Sequence, residues 1–330
     1  MGSISETQAF GRPPTWKNRV AELLGSAFPI VLGPMRLMTL GEMAAAVSAC
    51  GGFGQIAASG LPADRLRAEL KRARELTDRP VGVNIPVYRP NAAEALEIAI
   101  EAGVRTITTS AGDPTRLMTR IREAGLRVLH KVSSVKMGLK AQAAGVDGVI
   151  AMGSEAGGHV GRDGVTTLCL VPQLADALHV PVVAAGGIGD ARGLVAAFAL
   201  GAEGVEMGTR FVATRECPAP PYFKERICLA DSTGTLVLGK GAMPIRVLRN
   251  RRAEQLAGLS AAEADSALLQ SGDASYLQAG GDGDSAVMPC GQIAGLIQRI
   301  RDIREVFTEL TANAGEVSRR LAAFFGGEDE

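Results

Sequence analysis

The sequence predicts an α/β fold, a parallel (β/α)8 barrel carrying a smaller, mostly helical insertion domain. Three observations predict it. Eight short apolar runs alternate with segments whose apolar residues recur at i, i+3 and i+4. The runs are mostly continuous in hydrophobicity, as parallel strands covered by helices should be. Eight strands with seven crossovers favour closure over the competing open, doubly wound sheet.

In chain order, "PIVLG" (29–33) precedes the helical "LGEMAAAVSACG", and "GFGQIAA" (52–58) precedes "ADRLRAELKRARELTD". "PVGVNI" (80–85) leads to "AAEALEIAIEAG", and "VRTITTS" (104–110) to "DPTRLMTRIREAG". "LRVLHKV" (126–132) is followed by "SVKMGLKAQAAG", and "DGVIAM" (147–152) by "LVPQLADALH". "VPVVAAGG" (180–187) with "ARGLVAAFALG", then "GVEMG" (204–208), complete the set. Gly103, Gly125, Gly145 and Gly201 end helices where a left-handed cap is expected. From about Arg215 the alternation stops, and proline-rich, basic and helical stretches follow. The expected organisation is a barrel over 20–214, a helical lid over 215–285 and a helical return over 286–330.

Composition narrows the partners. The 330 residues are 46% hydrophobic and 21% charged, with Lys+Arg and Asp+Glu at 35 each. That balance gives no electrostatic footprint for nucleic acid or an anionic membrane, so a small-molecule substrate is expected. The 5 cysteines are scattered, without a C-x-x-C pair, so neither a metal site nor a disulfide framework is expected. The N-terminal stretch lacks an apolar signal core, and no run suits a membrane span, so a cytoplasmic protein is expected.

Ligands of parallel barrels bind at the carboxyl ends of the strands. There the sequence places "AGGIGDARG" and, on the next strand, Gly208-Thr209. Adjacent glycine turns at helix starts suit a phosphate. The spacing lacks the dinucleotide G-x-G-x-x-G pattern, and a mononucleotide such as FMN fits better. Met35 can floor a flat ring, while Asn84 and Lys131 can hydrogen-bond it. "GSEAGGHVGRDG" sets His159 among glycines straight after the sixth run. An imidazole titrating near neutrality suits proton transfer, and glycines admit a ligand beside it. His130 reads as structural and His179 as surface.

The ordered set "GPM", "EMAAAVSACGGFG", "RPVGVN", "HKV", "AGVDGVI", "EAGGHVG", "VVAAGGIGDARG" and "MGTRFVATRE" resembles the nitronate monooxygenase family, formerly the 2-nitropropane dioxygenases. Related flavin-type enoyl-acyl-carrier-protein reductases and NADH:quinone reductases share the pattern. The likeness runs from about Pro29 to Glu216 and resumes at "GQIAGLI" (291–297). It implies a TIM barrel under a small helical domain, one FMN per chain, and catalytic His159. It implies FMN contacts at Met35, Asn84, Lys131, Gly157, Gly158, Gly186, Gly187, Gly208, Thr209 and Gln292.

The expected reaction is oxidation of nitronates or nitroalkanes by dioxygen to a carbonyl compound and nitrite. The alternative is an enoyl or quinone reductase using NADH or NADPH, with an acyl carrier protein as partner in the enoyl case. A non-catalytic FMN scaffold is a third reading, disfavoured because it needs no imidazole. A homodimer is allowed but not required. Arg36, where some relatives carry an aromatic, could attract an anion or simply face solvent. The basic run Arg246–Arg252 could meet an acidic carrier or only face solvent.

Overall fold

The structure, a computed structural model, describes residues 15–239, 243–270, 275–277 and 282–325. Parts of the expected lid and return, and the start of the chain, lie outside those residues. The barrel strands are β1 (Ile30–Leu32), β2 (Gly54–Ala57), β3 (Val81–Pro86), β4 (Thr106–Ser110), β5 (Arg127–Val132) and β6 (Gly148–Met152). After β7 (Gly158–His159), which lies outside the barrel, come β8 (Val182–Ala185) and β9 (Gly204–Met207). All eight barrel strands fall where the sequence predicts them.

The strands run parallel in the order β1-β9-β8-β6-β5-β4-β3-β2. A short seam joins the ends: Phe53 N donates to Ile30 O at 2.8 Å, and Leu32 N to Phe53 O at 3.0 Å. The chain is therefore a (β/α)8 barrel. Its crossover helices obey the predicted spacing. In Ala63–Leu76, Leu66, Leu70 and Ala73 are buried, while the arginines and lysine take the outer face. The four predicted cap glycines all have positive φ, between 63° and 94°.

The barrel's eighth helix arrives late. Ile303–Phe324, opened by an Asp302/Glu305 capping box, packs against the helices Ala191–Ala199 and Gly41–Ala49. Its Phe307 stacks on Phe211 at 6.0 Å. Between β9 and that helix lie the helices Pro221–Cys228, Arg251–Ala257 and Ala261–Gln270. They flank a hairpin, β10 (Thr235–Leu238) and β11 (Ile245–Leu248), which the sequence reading did not separate from its helical surroundings. "TLVL" and "IRVL" are only four residues each, too short for periodicity to distinguish strand from helix. Strand β11 also pairs with β7, so lid and barrel loop share one antiparallel sheet.

Inside the barrel, Val31, Phe53, Leu129, Ile150 and Val183 form an apolar layer. Gly82 leaves room for it, since a Cβ there would stand 2.4 Å from the Phe53 ring. Two residues further along a strand the side chain returns to the same face. Gln55 and Lys131 therefore stand above Phe53 and Leu129, and the barrel's upper layer is polar.

Candidate active site

The floor of the barrel mouth is a chain of hydrogen bonds between strand ends. Asn84 Nδ2 donates to Thr108 Oγ1 at 2.9 Å, Thr108 Oγ1 to Gln55 Oε1 at 2.5 Å, and Gln55 Nε2 to Leu32 O at 2.7 Å. All three side chains are buried, so the network satisfies groups that would otherwise be costly to desolvate. Lys131 Nζ forms an ion pair with Glu206 Oε1. The other Glu206 oxygen, Oε2, is buried without a hydrogen-bond partner among the described residues. His130, by contrast, belongs to the wall: Nδ1 lies 2.8 Å from Thr109 Oγ1, and burial pushes its pKa down to about 4.

The glycine turns stand where the phosphate cradle was expected. Gly186 and Gly187 have φ values of 101° and 73°, conformations that a side chain would strain. The helix beyond them is already capped. Asp190 accepts from Arg192 N at 2.9 Å and Gly193 N at 3.3 Å, so the space left for an anion is the turn before the helix. On the neighbouring strand a Cβ on Gly208 would meet nothing nearer than Met35 Sδ at 3.8 Å. Thr209 Oγ1 accepts from Gly291 N at 2.9 Å, tying the last strand to the returning chain.

His159 sits in β7, opposite Ile245. Gly158 before it has a φ of 76°. His159 is exposed as a residue, yet protein packed around its ring, and then the Arg89 cation, hold its pKa below the usual imidazole value. Both effects favour the neutral form of the ring, the form able to accept a proton.

The loop leading to β7 is pinned at several points. Glu155 accepts from Thr167 N at 2.8 Å, Arg246 Nε donates to Ser154 O at 2.7 Å, and Gln292 N donates to Glu155 O at 2.9 Å. Gly157 has a packing reason of its own, since a Cβ there would lie 2.6 Å from Gly291 N.

Two arginines stand at this mouth. The Arg36 guanidinium packs against Gly60, where a Cβ would come within 2.3 Å of Nε. Burial and then Arg89 hold the Arg36 pKa below its ordinary value. Arg89 lies over the Tyr88 ring, 4.9 Å from its centre. Tyr276, from the lid, donates its hydroxyl to Arg36 O at 2.9 Å. Sequence reading missed Arg89, Tyr276 and Glu206. Only Glu206 carried a signal: it lies between Gly204 and Gly208, on the inward register of a predicted strand.

Gln292 places its backbone against Glu155, while its residue is exposed. The run Arg246–Arg252 does not form one basic face. Arg246 is buried, whereas Arg249 faces Glu254 at 3.5 Å and Arg251 faces Asp282 at 3.6 Å.

With this geometry in place, a family model described as nitronate monooxygenase matches residues 17–313. The chain belongs to the nitronate monooxygenase family. Members of that family are oxidoreductases, and this one is an enzyme of that class.

It is 36% identical over 255 residues to the (3aS,4S,5R,7aS)-5-hydroxy-7a-methyl-1-oxo-octahydro-1H-indene-4-carboxyl-CoA dehydrogenase of Mycobacterium tuberculosis, covering 76% of this chain and 71% of that one. It is also 36% identical over 264 residues to a probable nitronate monooxygenase of Staphylococcus saprophyticus, covering 66% and 74%. Among solved structures it resembles FabK from Thermotoga maritima, with a TM-score of 0.88, 37% identity, and 94% and 100% of the two chains covered. A nitroalkane oxidase from Streptomyces ansochromogenes gives a TM-score of 0.81 at 29% identity, covering 92% and 100%.

Proposed function

We propose that this member of the nitronate monooxygenase family is an FMN-dependent enzyme that oxidises nitronates, and the nitroalkanes that give rise to them, with dioxygen to a carbonyl compound and nitrite. The observation that carries this reading is the place of His159 at the barrel mouth, paired with β11 and facing the Arg89 charge, with its pKa held below the usual imidazole value. A nitroalkane becomes reactive by losing its α-proton, and the product of that loss is an anion. His159 would take the proton, and the Arg36 and Arg89 charges would favour the nitronate formed. The ladder to β11 fixes where the ring can stand.

The residues present fit FMN. The turn at Gly186 and Gly187, with Gly208 and Thr209, would hold the phosphate, and the space between Gly208 and Met35 admits a flat group. Met35, Asn84 and Lys131 would meet the ring from the floor, with Gly157, Gly158 and Gln292 along the lid side. FMN when bound supplies the electron transfer and dioxygen chemistry that no side chain has.

A second reading has its own support: a reductase of enoyl thioesters or quinones using NADH or NADPH. The FabK likeness extends over the lid as well as the barrel, and another relative is named for a CoA thioester. In that reading His159 would position the hydride acceptor, and an acyl carrier protein would be a partner.

The deciding experiment is anaerobic stopped-flow absorbance of the FMN-loaded protein, mixed separately with NADH, NADPH and propionate 3-nitronate. Bleaching by the nitronate alone supports the monooxygenase. Rapid bleaching by a nicotinamide refutes it in favour of the reductase.

A further inference from the structure

We infer that Glu206 is a positioning residue that neutralises Lys131 at the floor of the site and offers its second oxygen to an N–H or O–H of the bound group. The inference rests on the flavin reading above and adds a residue that neither the motifs nor the family likeness had assigned. In the barrel, β9 and β5 are separated by β8 and β6, so the ion pair spans the lumen rather than joining neighbouring strands. The Glu206 side chain is 5% exposed and that of Lys131 15%. One carboxylate oxygen holds the ammonium, and Oε2 has no hydrogen-bond partner among the described residues.

A donor for that oxygen cannot come from below, because Leu129, Ile150 and Val183 fill the layer beneath. Beside it on the sheet stand Val31 and Ala185, whose side chains have nothing to donate. The remaining direction is the mouth, where the ligand binds. A buried acceptor left open on that side is a recognition element for a ligand donor.

The electrostatic consequence is specific. An unpaired ammonium under a redox-active ring favours the reduced form, because reduction adds negative charge. The carboxylate against Lys131 cancels most of that field. The floor is then close to neutral, and the reduced cofactor gives up its electrons more readily to dioxygen or another acceptor.

The test is the two-electron midpoint potential of bound FMN in four proteins: the parent, Glu206→Gln, Lys131→Met and the double variant. Glu206→Gln keeps the side-chain shape and frees the ammonium. It should favour reduced over oxidised FMN by at least tenfold, a rise of about 30 mV. Lys131→Met leaves the carboxylate uncompensated and should move the potential the opposite way. The double variant, neutral at both positions, should return close to the parent.

These opposite signs are not expected of a purely structural pair, and either single variant suffices if the other fails to fold. An unchanged potential in FMN-loaded Glu206→Gln overturns the inference. So does a double variant that stays at the potential of either single variant instead of returning close to the parent. A parent protein that takes up no FMN overturns the flavin reading, and this inference with it.

Discussion

Replacing Gly157 with alanine tests whether the crossing of two loops holds His159 in place. The new Cβ would stand 2.6 Å from Gly291 N, 2.7 Å from the Cys290 carbonyl carbon and 2.9 Å from Cys290 Cα. All three are backbone atoms, so no rotamer change relieves the clash. Carbon atoms rest about 3.5 Å apart, so the loops must separate by on the order of 1 Å. That movement stretches the 2.9 Å bond across the crossing, from Gln292 N to Glu155 O.

Overpacking at about 1–3 kcal/mol, with about 1 kcal/mol for a weakened hydrogen bond, gives roughly 2–4 kcal/mol in all. In a chain of this size that lowers Tm by roughly 3–6 °C. Gly158→Ala is the control. Its Cβ meets nothing nearer than Pro289 Cβ at 3.9 Å, so it bears only the strain of a φ of 76°, about 1–2 kcal/mol. Calorimetry of the FMN-loaded proteins should therefore rank Gly157→Ala below Gly158→Ala. Its kcat/KM should fall as well, because a misplacement of about 1 Å at a reacting group can cost roughly 100-fold. A Gly157→Ala protein as stable as Gly158→Ala, with FMN bound, would refute the crossing as the constraint.

Two further outcomes follow from His159. His159→Ala should retain FMN, since the glycine turns lie elsewhere, and should lose about 10²–10⁴ in kcat/KM for a neutral nitroalkane but far less for a preformed nitronate. Equal losses on both substrates would argue against a proton-abstracting base. In the intact enzyme the base form of His159 is required, so activity on the neutral nitroalkane should fall as pH drops through a pKa below the usual imidazole value. Arg89→Met removes the cation that favours the neutral ring, which raises that pKa and moves the acid limb to higher pH. A pH–rate profile with an unmoved limb would remove Arg89 from this role.

The barrel was legible because most strands are buried apolar runs and most helices amphipathic ones, signals long enough to survive without partners. The glycine turns and His159 were legible for a related reason, as local departures from those patterns. The lid hairpin was not, since two runs of four residues become strands only by pairing with each other and with β7. Arg89 and Tyr276 lie far apart in sequence and meet Arg36 only through tertiary packing. Glu206 was within reach. Counting by twos from Gly208 puts it inside the barrel, where a carboxylate demands a cation, and Lys131 was already placed at a neighbouring depth.

The placement of His159 bears on how one barrel serves several reactions. The polar floor and the glycine turns, where the flavin is proposed to bind, belong to the barrel itself, fixed by strand register. The histidine does not. It lies in a two-residue strand whose partner among the described residues, β11, belongs to the insertion. That insertion is fastened to the barrel by Arg246 at Ser154 and by Tyr276 at Arg36. A change in the lid therefore moves His159, the proposed proton-transfer group, and the basic mouth together. Relatives named for nitronate, nitroalkane and CoA-thioester chemistry align with this chain over most of its length. On this architecture, differences among their substrates are expected where the lid meets the loops after β1 and β3. Specificity can diverge there without disturbing the fold or the cofactor site.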